Sequence, residues 1–257
     1  MWQLDGRVAI VTGAGSGIGR AIAHRLAAQG AAVVVNDIDR ESAERVVAEI
    51  RETSGVPATA AIGSVDEAAA TDAIVATAEA EFGGLDILVN NAGLTRDAVV
   101  HRMADEQWNA VVDVVLRGSF NMCRSAARLL RVPAAGHNRK IVNVASIAGV
   151  YGAAGTANYS AAKAGVIGLT KSLAREWAPL QVNVNAVAPG LVTQTRLAEA
   201  MPAGLLDRMV ELTPIGRGGR PEDVAAAVAF LASADADYIT GQVIELHGGL
   251  ELIPSGA

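Results

Sequence analysis

Seven short apolar runs recur along the chain, at Val8–Val11, Ala31–Val35, Ala58–Ile62, Ile87–Val89, Ile141–Ala145, Val182–Val187 and Val243–Leu246. Several, Val8–Val11 and Ala31–Val35 among them, are continuous rather than alternating. A strand with one wet face alternates apolar and polar residues, so unbroken runs imply strands buried on both faces, as in a parallel sheet covered by helices. Between the runs lie stretches with helical periodicity: Ile18–Ala28, Arg40–Thr53, Glu67–Phe82, Asp105–Leu130, Tyr159–Ala178 and Pro221–Ala232. Strands alternating with helices predict an α/β fold, a doubly wound parallel sheet of seven strands with helices on both faces. No linker-like stretch or internal repeat divides the chain, so a single domain over residues 1–257 is expected. The segment from about 191 to 219 carries Pro202, Pro214 and several glycines without a clear period, which makes it a candidate substrate lid.

The first run leads directly into Thr12-Gly13-Ala14-Gly15-Ser16-Gly17-Ile18-Gly19 and then into a helical pattern. Glycines between strand and helix permit a tight turn and close backbone approach to a pyrophosphate held at the helix N-terminus. A glycine triplet by itself is equally a flexible loop. Here the second run ends in Asn36-Asp37 about twenty residues on, where an acidic residue meets an adenosine ribose, and the expected fold becomes Rossmann-like. A carboxylate accepts hydrogen bonds from ribose hydroxyls and repels a 2′-phosphate, so NAD is expected over NADP.

Tyr159 and Lys163 stand four apart, one turn of a helix, and Ser146 follows the fifth apolar run thirteen residues before the tyrosine. That places the Ser146 hydroxyl at the carboxyl end of a buried strand, the edge at which open parallel sheets bind ligands. An ammonium one turn away favours a phenolate and is expected to draw the tyrosine pKa down from about 10 toward neutrality, making the hydroxyl a usable acid or base. Taken alone, the pair is also what an ordinary helix surface presents.

Composition narrows the classes. Hydrophobic residues make up 51% and charged residues 19% of 257, enough for an extensive core. The net charge of −6, without a basic block, gives no electrostatic support for nucleic acid or an anionic membrane. No apolar run approaches the ~18 residues of a membrane span, and the N-terminus lacks a signal-peptide core, so a mature chain beginning at Met1 in the cytoplasm is expected. The single cysteine, Cys123, cannot form an intramolecular disulfide and reads as a buried helix residue. Arg124, Arg128 and Arg131 share a helical face, either solvated or suited to an acidic carrier protein.

These residues together resemble the short-chain dehydrogenase/reductase family over nearly the whole chain. Its motifs occur in order: Thr12 to Gly19, Asn90-Asn91-Ala92-Gly93, Ser146, Tyr159 with Lys163, Pro189-Gly190, and Ile239-Thr240-Gly241-Gln242. Within the family the chain is most similar to 3-oxoacyl-acyl-carrier-protein reductases, through Thr95-Arg96-Asp97, Arg102-Met103, Lys171 to Glu176 and Pro221-Glu222-Asp223-Val224. The resemblance implies that Tyr159 exchanges the proton with the substrate oxygen, Ser146 holds that oxygen, and Lys163 binds the nicotinamide ribose and lowers the tyrosine pKa. It implies a cofactor site made of Gly13, Ser16, Gly17, Ile18, Gly19, Asp37, Ser64, Val65, Asn91, Ala92, Gly93, Tyr159, Lys163, Pro189, Gly190, Val192 and Thr193, with no metal. Asn90 is expected to help fix the adenosine-side ribose and the central sheet.

Four positions depart from the family pattern. Val115 replaces the usual asparagine of the fourth helix, so the side-chain part of the proton relay is missing and the backbone carbonyl with water is left to carry it. Ser64 replaces an aspartate after the third strand. Gln194, flanked by Thr193 and Thr195, replaces a threonine. Ser16 stands where NADP-dependent relatives often carry a basic residue, in agreement with Asp37. The implied activity is NAD(H)-dependent interconversion of a secondary alcohol and a ketone, with a 3-oxoacyl thioester as the leading substrate class, in a cytoplasmic homotetramer. The competing readings are an NAD-dependent dehydrogenase of steroid, sugar or other alcohols, and a weakly catalytic nucleotide-binding subunit.

Overall fold

The computed structural model describes residues 3–132, 136–199, 201 and 204–250. Seven strands form one parallel sheet in the order β3-β2-β1-β4-β5-β6-β7, with β1 at Val8–Val11, β2 at Ala32–Asp37, β3 at Ala58–Ile62, β4 at Ile87–Asn90, β5 at Arg139–Val144, β6 at Val182–Pro189 and β7 at Val243–Leu246. Every apolar run became a strand, because only a two-sided burial site accepts residues such as Val8–Val11, all four of which are buried. Strand order reverses beside β1, where Ile10 pairs with Val34 on one side and with Leu88 of β4 on the other. The carboxyl ends of β1 and β4 therefore splay apart into the crevice at which such sheets take ligands.

Helices α1 (Gly17–Ala27), α2 (Arg40–Ser54) and α10 (Pro221–Ala232) cover one face of the sheet. They pack Ile22, Leu26, Val46, Ile50, Val224 and Val228 against Val11, Val33 and Val35. The opposite face is covered by α3 (Ala68–Phe82), α5 (Gly118–Leu130) and α7 (Ala157–Trp177), with Ile74, Met122, Leu130 and Trp177 against Ile10, Val34, Leu88 and Ile141. Each fully buried Leu or Ile contributes ~1.5–3 kcal/mol relative to exposure, so these layers fix the strand ends that carry the site.

The helical pattern from Asp105 to Leu130 is not one helix. It comprises α4 (Asp105–Val112), a π-helical segment at Asp113–Arg117 and α5. A short helix absent from the sequence reading, α6 (Ile147–Tyr151), follows Ser146. The poorly patterned segment after Leu191 contains α8 (Arg196–Glu199) and α9 (Leu205–Glu211), while Pro202 lies outside the described residues. No helix of the described residues is long and apolar enough to cross a membrane.

Candidate active site

The β1–α1 turn is shaped for a phosphate. Gly13 and Gly17 hold φ of +61° and +53°, the left-handed region that side chains rarely adopt. A Cβ at Gly19 would stand 2.2 Å from the Gly13 carbonyl oxygen, so the chain there admits nothing larger than hydrogen. Ser16 is the N-cap of α1 yet makes no side-chain cap hydrogen bond, and the first turn holds no acidic residue. The N–H groups of an eleven-residue helix are thus left for a ligand, with the positive end of its dipole aimed at them. Ile18, the second residue of the helix, packs back on the core.

The buried Thr12 and Asn91 lock this turn to the end of β4. Thr12 Oγ1 accepts from the N–H groups of Asn91 and Ala92, both at 3.0 Å, and the Asn91 amide donates to the carbonyls of Thr12 and Gly13 at 2.9 and 3.1 Å. Asn91 therefore builds the cradle through its side chain. Asn90 turns inward: its amide donates to Asn143 Oδ1 at 2.8 Å and to Cys123 Sγ at 3.3 Å. The sheet-fixing part of its expected role matches this arrangement, and both of its amide protons are committed away from a ribose.

Asp37 ends β2 beside the glycine turn, where its Oδ2 accepts from Gly15 N–H at 2.9 Å and its Oδ1 from Asp39 N–H at 3.1 Å. Ser64 hydrogen-bonds through its hydroxyl to Asp66 Oδ1, so a carboxylate absent from position 64 is supplied two residues later. The carbonyls of Val65 and Asp66 both accept from the buried Asn121 amide at 3.1 Å, which pins this turn to α5. Neither Asp66 nor Asn121 figures in the sequence reading, although the acidic residue two positions after Ser64 was the available signal.

Ser146, Tyr159 and Lys163 meet at the carboxyl end of β5, beside the loop after β4. Ser146 caps α6, with its Oγ accepting from Ala148 N–H at 3.2 Å, and its hydroxyl hydrogen-bonds Tyr159. Lys163 is 4% exposed, donates from Nζ to the Val144 carbonyl at 2.5 Å and sits 5.6 Å from the centre of the Tyr159 ring. The expected lowering of the tyrosine pKa is reversed here. Burial pushes the Tyr159 hydroxyl up to about 12, opposed by the Ser146 hydrogen bond and reinforced by the charge of Asp97. Burial also draws Lys163 down to about 8, so the ammonium is itself destabilised by the enclosure that raises the phenol.

The loop beyond β6 runs beside α6 and the glycine turn. Gly190 N–H donates to Leu246 at 2.9 Å, immediately after Pro189, and Val192 is buried beside Gly219. Thr193 turns its hydroxyl to the Gly219 carbonyl at 3.1 Å, and Gln194 takes the left-handed region with its side chain exposed. Thr195 faces the glycine turn instead, its Cγ2 lying 3.7 Å from where a Gly17 Cβ would be, while its Oγ1 caps α8 at Ala198 N–H. Both threonine hydroxyls donate to main-chain carbonyls, that of Thr193 to Gly219 at 3.1 Å and that of Thr195 to Val192 at 3.0 Å.

Gly93 follows the cradle, and a Cβ there would meet Val115 Cγ2 at 3.6 Å and Lys163 Nζ at 3.9 Å. The Val115 side chain and the lysine thus both face Gly93, the valine within a cluster of Val111, Ala145, Ala162 and Val166. Its carbonyl, in the π-helical segment, accepts from Ser119 Oγ at 2.7 Å. Val115→Asn is expected to change turnover by less than about tenfold. It should also cost ~1–3 kcal/mol of stability, because an amide would enter an apolar cluster. Steady-state rates and a melting curve test both, and a much larger gain in turnover at unchanged melting temperature would show the natural relay to be impaired.

The cradle fits a dinucleotide by the shape and open donors just described, and no group of three or more His, Cys, Asp or Glu among the described residues is placed to hold a metal. With that geometry in view, the chain belongs to the short-chain dehydrogenase/reductase family, oxidoreductases that act on CH–OH groups with a nicotinamide cofactor. A family model described as enoyl-(acyl carrier protein) reductase matches residues 13–251. The chain is 42% identical to the 3-oxoacyl-acyl-carrier-protein reductase FabG of Thermotoga maritima, over 96% of this chain and 99% of that one. It is 45% identical to the enzyme of the same name from Staphylococcus aureus, over 94% and 97%. Among solved structures, it resembles a gluconate 5-dehydrogenase from Burkholderia cenocepacia in complex with NADP and tartrate. That match has a TM-score of 0.89 and 37% identity, covering 98% of this chain and 97% of that one.

Proposed function

We propose that the protein is an NAD(H)-dependent reductase of 3-oxoacyl thioesters, working as a single cofactor-binding domain in a cytoplasmic homotetramer. The observation that carries the chemistry is the meeting of Ser146, Tyr159 and Lys163 at the sheet edge beside the glycine cradle. A reduced nicotinamide held beside them would supply the hydride that the carbonyl carbon accepts. Tyr159 gives its proton to the carbonyl oxygen as negative charge develops there, and the Ser146 hydroxyl holds that oxygen in line. Lys163, fastened to Val144, offers its remaining protons to the nicotinamide ribose. Gly13, Ser16, Gly17, Ile18 and Gly19 would hold the pyrophosphate, with Ala92, Gly93, Pro189, Gly190, Val192 and Thr193 serving the nicotinamide side and Ser64 and Val65 the adenine side.

The substrate class rests on the relatives named as 3-oxoacyl-acyl-carrier-protein reductases and on the apolar mouth of the site, where Val99, Val100, Val150 and Tyr151 are exposed. Arg124 and Arg128 lie exposed on α5, the latter paired with Glu79, and suit an acidic carrier. Dehydrogenation of a sugar acid is the second reading, favoured by the gluconate dehydrogenase of closely matching fold. Initial rates with a 3-oxoacyl thioester, the corresponding enoyl thioester and gluconate separate these readings. Reduction of the 3-oxoacyl thioester alone is the expected result.

The NAD preference rests on Asp37. Asp37→Ala should raise the NADPH to NADH efficiency ratio by at least tenfold, since a carboxylate facing a 2′-phosphate is a like-charge clash of several kcal/mol when desolvated. Kinetics with both cofactors read the ratio directly. Wild-type preference for NADPH would remove the claim.

A further inference from the structure

We propose that Asn158 is a positioning residue for the reaction, its buried carboxamide fastening the wall of the substrate mouth to the turn of α7 that carries Tyr159. The side chain is 0% exposed, and all three of its hydrogen-bonding groups are engaged. Its amide donates to the Arg96 carbonyl at 2.9 Å and to the Gln107 carbonyl at 3.0 Å, and its Oδ1 accepts from Tyr159 N–H at 2.8 Å. The first N–H groups of a helix have no partner within it, and the Thr156 N-cap of α7 makes no side-chain cap bond. Asn158 fills that gap from inside the first turn. One side chain thereby joins three elements: the loop after β4, the first turn of α4 and the start of α7.

The loop is pinned on both sides of Asp97. Arg96 is held through its carbonyl by Asn158, and Ala98 N–H donates to the Gly155 carbonyl at 2.9 Å, in a short parallel bridge to Thr156. Asp97 is thus carried to the residues just before Tyr159, and its negative charge acts on the tyrosine hydroxyl in the direction that raises its pKa. The groups acting on that hydroxyl are Ser146 from the turn after β5 and Asp97 from this loop, with Lys163 of α7 over the ring. Leu94, at the start of the loop, joins the apolar cluster that includes Tyr159 and Val115. Asn158 touches neither cofactor groove nor reacting atoms, so its effect passes through the tyrosine and the wall it holds.

The inference assumes Tyr159 as the acid/base, and loss of turnover in Tyr159→Phe tests that separately. Asn158→Ala, Asn158→Asp and Asp97→Asn are compared with wild type for NADH affinity, kcat, KM, melting temperature and the pH profile of alcohol oxidation. Asn158→Ala should lower kcat by about tenfold or more, because misplacement of a reacting group by ~1 Å costs on the order of a hundredfold. NADH affinity should stay within about twofold of the wild-type value. The rising limb of oxidation should move to lower pH in Asn158→Ala and in Asp97→Asn alike, since each takes the Asp97 charge from the tyrosine. Asn158→Asp should not rescue, as a carboxylate would face two carbonyls without a proton to give. Asn158→Ala with reduced melting temperature but unchanged kcat, KM and pH profile would reduce the residue to a structural role. Asp97→Asn lies on an exposed loop and reads the same wall without disturbing the core. A profile coincident with wild type in that variant would also overturn the proposal.

Discussion

Tyr159→Phe is expected to lower turnover by at least ~10²–10⁴-fold, the usual worth of a positioned general acid or base, while NADH affinity stays near its wild-type value. The substitution removes one hydroxyl and leaves the ring against Lys163, so little binding surface changes. Because burial lifts the hydroxyl to about 12, with Ser146 opposing and Asp97 adding to the shift, the protonated form persists through the neutral range. Ketone reduction consumes that form and should vary little with pH up to about 9, apart from effects on Lys163, whose pKa burial lowers to about 8. Alcohol oxidation needs the phenolate and should climb from about pH 7 to about pH 10. Initial rates in both directions across this range, with NADH titrated by fluorescence, check each part. A variant that kept most of its turnover, or an oxidation rate flat with pH, would show that another group handles the proton.

The parts of the fold legible in the sequence were those decided by burial and by glycine. Continuous runs such as Val8–Val11 read directly as two-sided strands, and all four of those residues are buried in β1. The glycine turn was readable because its positions are set by backbone sterics, as at Gly19, which admits no Cβ. What escaped was set by tertiary contacts. The π-helical break at Asp113–Arg117 falls inside a stretch of good helical periodicity, with no glycine or proline before Gly118 to mark it. Helix α6 is five residues long, too short for periodicity to register. The tyrosine pKa was misjudged because spacing along a helix gives the neighbouring ammonium but not the desolvation, and desolvation dominates. The approach of Thr195 Cγ2 to the glycine turn was likewise not legible, because the bridge of Val192 to Gly219 sets which way this loop faces.

Gly149→Ala is expected to separate Ser146 from its partners and to reduce turnover by about tenfold to a hundredfold, although residue 149 touches neither cofactor nor substrate. A Cβ there would stand 2.6 Å from the Lys163 carbonyl carbon, 2.7 Å from Lys163 Cβ and 2.8 Å from Ala164 N. Two of these are backbone atoms in the middle of α7, which cannot step aside as the end of a flexible side chain can. Helix α6 must lift instead. It carries Ser146 with it, since Gly149 N–H donates to the Ser146 carbonyl at 2.9 Å and Ala148 N–H to its Oγ at 3.2 Å. Overpacking of this kind costs ~1–3 kcal/mol, so the melting temperature should fall as well. The glycine turn lies on a different strand, and NADH affinity should be nearly preserved. Gly168→Ala, on the same helix with no atom within 4 Å of its added Cβ, should leave turnover intact and stabilise the helix by up to ~1 kcal/mol. Rates and melting curves for the two variants side by side distinguish contact from composition. Equal turnover in both would mean that the packing of α6 on α7 does not set the position of Ser146.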